Sequence, residues 1–211
     1  MIETQKRGRF VTLEGIEGAG KSTAAQFARE WLASRGILAC LTREPGGTPL
    51  AERVRSIVLE PSGEPIPAEA ETLLMFAARS IHLASLIRPA LARGEWVICD
   101  RFTDATRAYQ GGARGISTAL IEQLAGAVHG DLAPDRTLLL DLPVAEGLRR
   151  ARSRAGTADR FEQERETFFV RVREAYLELA RREPQRIRLI DASRPLDQVQ
   201  RDIERALREL L

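Results

Sequence analysis

Five short apolar runs recur along the chain, each of the length of a β-strand. They occupy residues 9–14 (RFVTLE), 38–42 (LACLT), 96–100 (WVICD), 136–141 (RTLLLD) and 186–191 (RIRLID). Within each run the apolar residues largely follow one another instead of alternating with polar ones, which is typical of strands covered on both faces. The pattern therefore predicts the strands of a buried parallel sheet.

Segments with the hydrophobic period of an α-helix lie between and after these runs. They cover residues 22–36, 48–59, 68–94, 168–182 and 195–210. Gly36 and Gly94 close the first and third segments, and Pro195 opens the last in a first-turn position. Because strands alternate with helices, the chain is predicted to form an α/β fold, a five-stranded parallel sheet flanked by helices on both faces. Residues 1–211 contain no convincing linker and are interpreted as a single domain.

Composition narrows the class of protein. The 211 residues are 44% hydrophobic and 29% charged, as in an ordinary soluble globular chain, and the net charge of +2 argues against wholesale binding of nucleic acid. No signal peptide and no apolar run of membrane-spanning length is evident, so we expect a cytoplasmic protein without a membrane partner. Cys40 and Cys99 lie in apolar runs and are interpreted as buried thiols, not as a disulfide.

The first predicted strand runs into GIEGAGKST, residues 15–23, which has the spacing of a phosphate-binding P-loop. Glycines allow backbone N–H groups to converge on phosphate oxygens, and the N-terminus of the following helix adds positive potential. Lys21 is expected to reach the β and γ phosphates, and Ser22 to bind Mg²⁺. A tight glycine-rich turn without a ligand is the alternative. The predicted nucleotide-binding residues are Gly15, Ile16, Glu17, Gly18, Ala19, Gly20, Lys21, Ser22 and Thr23.

A P-loop alone leaves GTPases, motor ATPases and small-molecule kinases open. The chain contains no asparagine, so it cannot hold the N-K-x-D motif with which GTPases read guanine. Motor ATPases are usually larger and carry a more apolar acidic strand motif. The third predicted strand ends in Asp100, which is well placed to hold Mg²⁺ directly or through water. Arg101 follows it and would face the cleft, where it could bind a second phosphate.

Taken together, these motifs resemble the bacterial thymidylate kinase family over nearly the whole chain. The matching pieces, in order, are TLEGIEGAGKST, TREPGGTPLAERVR, LLMFAARSIHL, DRFTDATRAYQGG, RARSRAGTADRFEQE and LIDASRPL. REPGGT followed downstream by DRF and AYQGG is far more specific than the P-loop. The resemblance implies a fold like that of P-loop nucleoside monophosphate kinases and a homodimer. It also implies Mg²⁺-dependent transfer of the γ-phosphoryl group of ATP to dTMP, giving dTDP for dTTP synthesis.

An arginine-rich segment, residues 149–162 (RRARSRAGTADRFE), contains five arginines and no acidic residue before Asp159. By composition it is a solvated helix face or a nucleic-acid patch. The resemblance implies instead a mobile lid that closes over ATP. It also implies that the lid supplies positive charge for phosphoryl transfer, since the P-loop itself contains no arginine. The candidates are Arg152, Arg154 and Arg160, with Arg149 on the adenine and Ala192, in LIDASRPL, also near ATP.

The resemblance further assigns roles around the acceptor phosphate. Glu17 is expected to meet the sugar 3′-hydroxyl or a Mg²⁺-bound water, with a salt bridge to a lid arginine as the alternative. Glu44 and Pro45 are expected to wall the monophosphate site. Arg101 is expected to hold the acceptor phosphate through two hydrogen bonds. Arg55 is expected to point at that phosphate from the next helix, unless it is a surface arginine. Glu17 and Arg101 join the P-loop lysine and the lid arginines in the predicted catalytic set.

Thymine is expected to meet one long helix. Arg79 is predicted to donate a hydrogen bond to a thymine carbonyl, with a helix-surface ion pair as the alternative. Four residues before it, where the family carries an aromatic ring that stacks on thymine, this chain has Met75. Phe76 follows and is favoured for stacking. The rival arrangement places Phe76 in the core and Met75 on the base.

The residues after Arg101 and the two histidines are interpreted as follows. The resemblance implies that Tyr109 packs where a ribose 2′-hydroxyl would lie and so selects the deoxy sugar. Thr106 and Gln110 are expected to line the base edge. His82 and His129 have no obvious partners and are interpreted as structural or surface residues.

Three other functions stay open on the sequence alone. The first is a kinase that acts on dUMP, dCMP or a deoxynucleoside. The second is a non-catalytic ATP-binding subunit, which would have no reason to keep Lys21, Ser22, Asp100 and the arginine-rich segment together. The third is an RNA- or DNA-binding module, which would bind with strong salt dependence and which the near-neutral net charge disfavours.

Overall fold

The structure, a computed structural model, describes residues 7–60, 64–153, 160–161 and 164–211. Within these residues the chain forms a sheet of five parallel strands in the order β2-β3-β1-β4-β5. The strands are β1 (Phe10–Glu14), β2 (Ala39–Arg43), β3 (Trp96–Asp100), β4 (Arg136–Asp141) and β5 (Ile187–Asp191). All five predicted strands are confirmed, and their ends differ from the predicted ones by no more than one residue.

Helices and two π-helical turns connect and flank these strands. In the described ranges they are α1 (Lys21–Ala33), α2 (Pro49–Leu59), α3 (Ala68–His82), a first π turn (Leu83–Ile87), α4 (Arg88–Ala92), α5 (Thr103–Thr106), a second π turn (Arg107–Ala113), α6 (Thr118–Val128), α7 (Val144–Arg152), α8 (Glu166–Arg182) and α9 (Leu196–Arg208). The predicted helix 68–94 is continuous over Ala68–Ala92, through the first π turn. Pro195 is the N-cap of α9 and not, as predicted, part of its first turn.

The sequence patterns missed α5, α6 and α7. The first of these has only four residues, too few for a periodic pattern. The last turn of α7 contains three arginines, Arg149, Arg150 and Arg152, within the segment that the resemblance had assigned to the lid. The sequence did contain a signal for α6, a serine at position 117 just before its apolar residues. In the structure Ser117 is the N-cap, and its side chain accepts a hydrogen bond from the backbone N–H of Leu120.

Both faces of the sheet are covered, which explains the continuous apolar runs. Val11 and Ile98 point into the main core, which also contains apolar residues of α1, α8 and α9. Their neighbours Phe10 and Val97 point the other way and pack with Leu83 and other apolar residues of the Ala68–Ala92 helix. Successive residues of a strand face opposite sides, so both sets must be apolar when both faces are buried.

Both cysteines are free thiols, as predicted. Cys99 is buried on the central strand β3, but the prediction of burial was wrong for Cys40, which is only half-buried. Its strand, β2, lies at the edge of the sheet and is covered less completely.

One helix of the described residues, Ala68–Ala92, is long and apolar enough to cross a membrane, with a mean hydropathy of 1.3. It packs against α2, α6 and β3, and Phe76, Leu83 and Ile87 are buried within it. It is therefore a core helix. Only 44% of its most apolar window is buried, so part of its apolar surface faces outward.

Sheet pairing places the P-loop beside the end of β3. Leu13 of β1 lies opposite Asp100 of β3, so these two central strands end side by side. Ligands of open parallel sheets bind at the carboxyl ends of the strands, where neighbouring connections leave in opposite directions. The predicted phosphate-binding and magnesium-binding residues accordingly lie together at the carboxyl ends of the strands.

Candidate active site

A cleft of about 510 Å³ opens at the carboxyl ends of the strands. Most of the predicted site residues line it: Glu17, Gly18, Gly20, Lys21, Ser22, Thr23, Glu44, Pro45, Arg55, Met75, Arg79, Asp100, Arg101, Thr106, Tyr109 and Gln110. Its wall also contains residues that sequence patterns did not single out as site residues: Arg43, Leu59, Phe102, Ala105, Arg150 and Phe161. The residues predicted for the donor and acceptor sites therefore line one and the same cleft.

Glycine backbone shapes the P-loop. Gly15, Gly18 and Gly20 have φ values of 137°, 74° and 90°, a region that residues with a Cβ rarely adopt. The side chains of Ile16 and Ala19 are buried in the core. These two residues can therefore offer a ligand only their backbone groups.

Lys21 begins α1 and folds back over the loop. Its Nζ donates hydrogen bonds to the carbonyl oxygens of Gly15 at 3.2 Å and Ile16 at 2.9 Å. Burial and the nearby guanidinium of Arg101 lower the pKa of Lys21 to about 8. An anion beside Nζ would favour the charged amine, so this lysine suits a phosphate ligand.

Arg101 lies across the P-loop and has a φ of 73°, which is unusual for a residue other than glycine. Its Nη1 donates to the Gly15 carbonyl at 3.0 Å and to the Tyr176 hydroxyl at 3.2 Å, and its Nη2 donates to Glu17 at 2.8 Å. The other Glu17 oxygen accepts from the Tyr109 hydroxyl at 2.7 Å. In the described residues Glu17 thus pairs with Arg101 and Tyr109, whereas the alternative prediction paired it with a lid arginine.

Beneath Arg101 lies Glu14, which sequence reasoning missed. Its carboxyl oxygens accept hydrogen bonds from the Tyr176 hydroxyl at 2.6 Å and the Phe102 N–H at 2.8 Å. Burial, together with the negative charge of Asp104, raises the pKa of Glu14 to about 8. The signal in the sequence was a glutamate at the end of an otherwise apolar strand. Its partners could not be inferred, since they come from distant segments.

The other end of the cleft contains a buried ion pair. Arg79 donates from Nε to Glu44 at 2.7 Å and from Nη2 to the Thr106 hydroxyl at 3.1 Å. Its buried Nη1 has no hydrogen-bond partner within the described parts of the chain. The alternative of a helix-surface ion pair is wrong, because both side chains are buried. An uncommitted buried donor in a cleft fits the carbonyl oxygen of a ligand.

His82 stabilises the same ion pair from behind. Its ring nitrogens lie 3.1 Å from a Glu44 carboxylate oxygen and 2.6 Å from the Thr42 hydroxyl. His129 lies 3.0 Å from the Thr103 hydroxyl. Both histidines therefore have partners that were not obvious from the sequence, and the interpretation of His82 as structural fits its complete burial.

Asp100 and Ser22 both line the cleft beside the P-loop. Asp100 Oδ1 is buried and accepts no hydrogen bond from the described residues. No cluster of three or more His, Cys, Asp or Glu side chains suited to a metal occurs there either. Mg²⁺ is commonly held by one or two protein oxygens together with substrate phosphates and water. The two residues present fit that arrangement.

Comparisons with known proteins agree with this geometry. The family model for thymidylate kinase matches residues 13–203. Thymidylate kinases of Pseudomonas putida (strain W619) and Alkalilimnicola ehrlichii are 58% and 57% identical to the chain, covering 96% and 95% of it and 97% and 93% of the relatives. The crystal structure of thymidylate kinase from Ehrlichia chaffeensis matches with a TM-score of 0.77 at 33% identity, covering 96% of this chain and 99% of that one.

The chain belongs to the thymidylate kinase family. It is therefore an enzyme of the nucleotide kinase class, as the sequence motifs predicted. Its α/β fold with an all-parallel sheet is confirmed both by the strand pairing and by the solved relative.

The structure corrects the choice of residue for thymine stacking. Phe76 is buried in a small core with Ile116, Ile121 and Ala125, and it does not line the cleft, whereas Met75 does. Successive helix residues point about 100° apart, so the face that carries one of them into the cleft turns the other away. The Phe76 ring centre lies 4.8 Å from the guanidinium carbon of Arg79 and supports that arginine from within the core.

The arginine-rich segment divides at the end of α7. Arg150, which was not singled out, lines the cleft and donates to the carbonyl oxygen of buried Ala192 at 3.2 Å. Arg149 is exposed and lies 3.7 Å from Glu146. Arg152 is exposed and does not line the cleft. The predicted lid residue Arg154 lies outside the described residues.

Arg160 is placed differently from the prediction. Its Nη2 donates to the carboxylate of Glu71, and its Nε donates to the Val58 carbonyl at 2.9 Å. Glu71 is completely buried, and a buried carboxylate requires an opposite charge or hydrogen-bond donors. The position of Arg160 is therefore explained by Glu71, and it does not support a contact with ATP phosphates.

A close backbone contact joins the P-loop to α7. A Cβ at Gly18 would lie 2.1 Å from the carbonyl oxygen of Gly147, and a Cβ at Gly147 would lie 2.6 Å from the carbonyl oxygen of Glu17. Backbone atoms cannot move aside as a flexible side chain can. The two glycines therefore fix the distance between the phosphate loop and the helix that carries Arg149, Arg150 and Arg152.

Gly147→Ala should therefore destabilise the fold and raise the KM for ATP, because the P-loop and α7 must separate. Gly126→Ala is the matched control, since a Cβ at this second helical glycine meets no atom within 4 Å. The control should gain up to about 1 kcal/mol in free energy of unfolding from helix propensity, with no change in KM. Chemical denaturation and initial-rate kinetics measure both effects. Equal behaviour of the two variants would contradict this role for the contact.

Proposed function

We propose that the chain transfers the γ-phosphoryl group of ATP to dTMP, giving ADP and dTDP for dTTP synthesis. It acts in the cytoplasm as a single kinase domain, residues 1–211, with the segment around 149–162 as its lid. Besides family membership, one observation carries the proposal. In the cleft, Arg101 lies between the P-loop and the region around Arg79. There the buried Nη1 of Arg79 is a hydrogen-bond donor without a partner in the described residues. Phosphoryl transfer between two nucleotides requires this kind of juxtaposition.

The P-loop end is the donor site. Backbone N–H groups of the loop and the N-terminus of α1 face the phosphates of ATP, and Lys21 exchanges its carbonyl partners for phosphate oxygens. Ser22 and Asp100 hold Mg²⁺, directly or through water. Bound Mg²⁺ supplies neutralisation of charge on the β and γ phosphates.

The acceptor phosphate lies beside Arg101. Its guanidinium exchanges the Gly15 carbonyl and Glu17 for two phosphate oxygens, and its planar fork matches them. Glu17 is then available to the sugar 3′-hydroxyl. Arg55, which donates to the Pro45 carbonyl at 2.8 Å, adds positive charge from α2, with Glu44 and Pro45 forming the nearby wall.

Thymine occupies the far end of the cleft. Arg79 Nη1 donates to a thymine carbonyl, Met75 lies against the ring, and Thr106 and Gln110 line its edge. Tyr109, held by its hydrogen bond to Glu17, excludes a 2′-hydroxyl.

The lid supplies the remaining charge in the transition state. Arg152 and Arg154 are the proposed donors, and Arg149 packs on the adenine near Ala192. Solvent screens exposed arginines such as Arg149 and Arg152 until ATP is bound, so their charge costs little in the free enzyme. Arg160 is the weakest of the original candidates, because its donors are already engaged by Glu71 and Val58.

A homodimer is also proposed. Helices α2 and α3 pack against each other, and each exposes large apolar side chains: Leu50 and Ile57 on α2, and Leu73 on α3. The outward apolar surface of the Ala68–Ala92 helix adds to them. Such side chains on adjacent helices suit a twofold contact with a second copy of the chain.

The activity is tested by turnover of dTMP, dUMP and dCMP with ATP and Mg²⁺. We expect dTMP to be preferred to dUMP by about 10- to 200-fold in kcat/KM, the range for one methyl group in an apolar site. Lys21→Ala should abolish turnover without unfolding the chain, since the lysine neutralises the transferring group. Arg201→Ala, which removes an exposed side chain of α9, is the control. Turnover of dCMP or a nucleoside in place of dTMP would assign a different kinase activity.

The dimer is tested by sedimentation equilibrium. Wild type should have twice the chain mass, and Leu73→Glu should shift it toward the monomer, because a charge would enter an apolar interface. Leu38→Glu is the control, because it makes the same change at a leucine outside α2 and α3. Leu38 is 78% exposed and Leu73 is 54% exposed. The control should leave the mass unchanged. A monomeric wild type at micromolar concentration would exclude the proposed contact.

A further inference from the structure

Glu71 is a completely buried carboxylate in the first turn of α3, and groups from separate segments converge on it. Gln110 donates to its Oε1 at 2.8 Å, from the second π turn. Arg160 donates to its Oε2, from just before α8. Arg114 Nε lies 3.5 Å from Oε1. Two guanidinium groups thus offset the cost of burying this negative charge.

The carboxylate fixes the orientation of the Gln110 side chain. An ionised carboxylate only accepts hydrogen bonds, so the end of the amide that faces Glu71 must be its nitrogen. The carbonyl oxygen is then the end of the amide left for another partner. Gln110 lines the cleft at the end that also contains Arg79 and Thr106.

From this arrangement we infer that Glu71 is a positioning residue for nucleobase selection. By holding the Gln110 nitrogen, it presents the Gln110 carbonyl to the base as a hydrogen-bond acceptor. Thymine and uracil carry an N–H at ring position 3, which fits that acceptor. Cytosine has a lone pair there, so two acceptors would face each other without a proton between them. The inference rests on the proposed function of the same cleft, and Glu71 itself does not touch the substrate.

The same carboxylate also holds a second part of the cleft wall. Arg160, its partner, precedes Phe161, whose ring lies edge-on to Tyr109 at 5.8 Å between centres. Loss of Glu71 therefore has two separable consequences. Release of Gln110 alters the choice of base, whereas release of Arg160 alters the wall near Tyr109 and affects every pyrimidine monophosphate alike.

Glu71→Gln tests the inference, because an amide donates as well as accepts and no longer dictates which end of Gln110 faces it. The measurements are the kcat/KM values for dTMP and dCMP and the calorimetric dissociation constants of both nucleotides without ATP. The preference for dTMP over dCMP should fall about tenfold both in kcat/KM and in binding affinity, which is the effect of one misdirected hydrogen bond. It should arise mainly from weaker dTMP binding and a raised KM.

A double-mutant cycle shows whether Glu71 acts through Gln110. Gln110→Ala should lower the dTMP preference, and adding Glu71→Gln should lower it no further. Arg160→Gln should reduce activity toward both nucleotides and leave their ratio unchanged. Glu178→Gln, which makes the same change in an exposed ion pair on α8, should leave all values unchanged.

Two outcomes would overturn the inference. One is that Glu71→Gln keeps the wild-type preference for dTMP over dCMP. The other is that the effects of Glu71→Gln and Gln110→Ala on this preference add fully in the double variant. If Glu71→Gln fails to fold, Glu71→Asp replaces it, since a shorter carboxylate still only accepts. That variant must keep the dTMP preference, even at reduced activity. The binding measurements also separate the two proposals. A wild type that binds dTMP selectively without phosphorylating it would refute the proposed function alone.

Discussion

The guanidinium of Arg101 connects the parts on which the cleft depends. It reaches the P-loop at the Gly15 carbonyl and Glu17, and it reaches α8 at the Tyr176 hydroxyl. This position requires a positive φ at a residue that is not glycine, a conformation that persists only where the surroundings enforce it. Parallel pairing of β1 with β3 ends both strands at the same level of the sheet, which brings Arg101 beside the P-loop.

Two titratable groups near this arginine, Glu14 and Lys21, have shifted pKa values. Glu14, directly below, has a pKa raised to about 8 by burial and by Asp104, so near neutral pH its uncharged form is favoured. It therefore competes little for the charge of Arg101. Lys21, with a pKa lowered to about 8, is protonated more fully once an anion lies beside it. Both shifts suit a site that binds two phosphate groups close together.

The sequence predicted the sheet and the P-loop correctly, because continuous apolar runs and glycine spacing are local patterns. It was less successful where a role depends on the rotation of a helix or on a distant partner. The sequence left open whether Met75 or Phe76 lies on the base, and packing in the structure turns only Met75 toward the cleft. The partner that draws Arg160 away, Glu71, lies far from it in sequence. Glu14 was missed for a related reason, since the residues that donate hydrogen bonds to it, Tyr176 and Phe102, lie far from it in sequence.

We propose that Arg101 binds the acceptor phosphate, and calorimetric affinities for dTMP and thymidine are the test of that role. The two ligands differ only in the phosphate group, so their ratio isolates its contribution. Wild type should bind dTMP far more tightly than thymidine. Arg101→Ala should lower that ratio by about 10- to 100-fold, as for loss of a charge-assisted hydrogen bond, with thymidine affinity nearly unchanged. An undiminished preference for dTMP in Arg101→Ala would show that another group binds the phosphate.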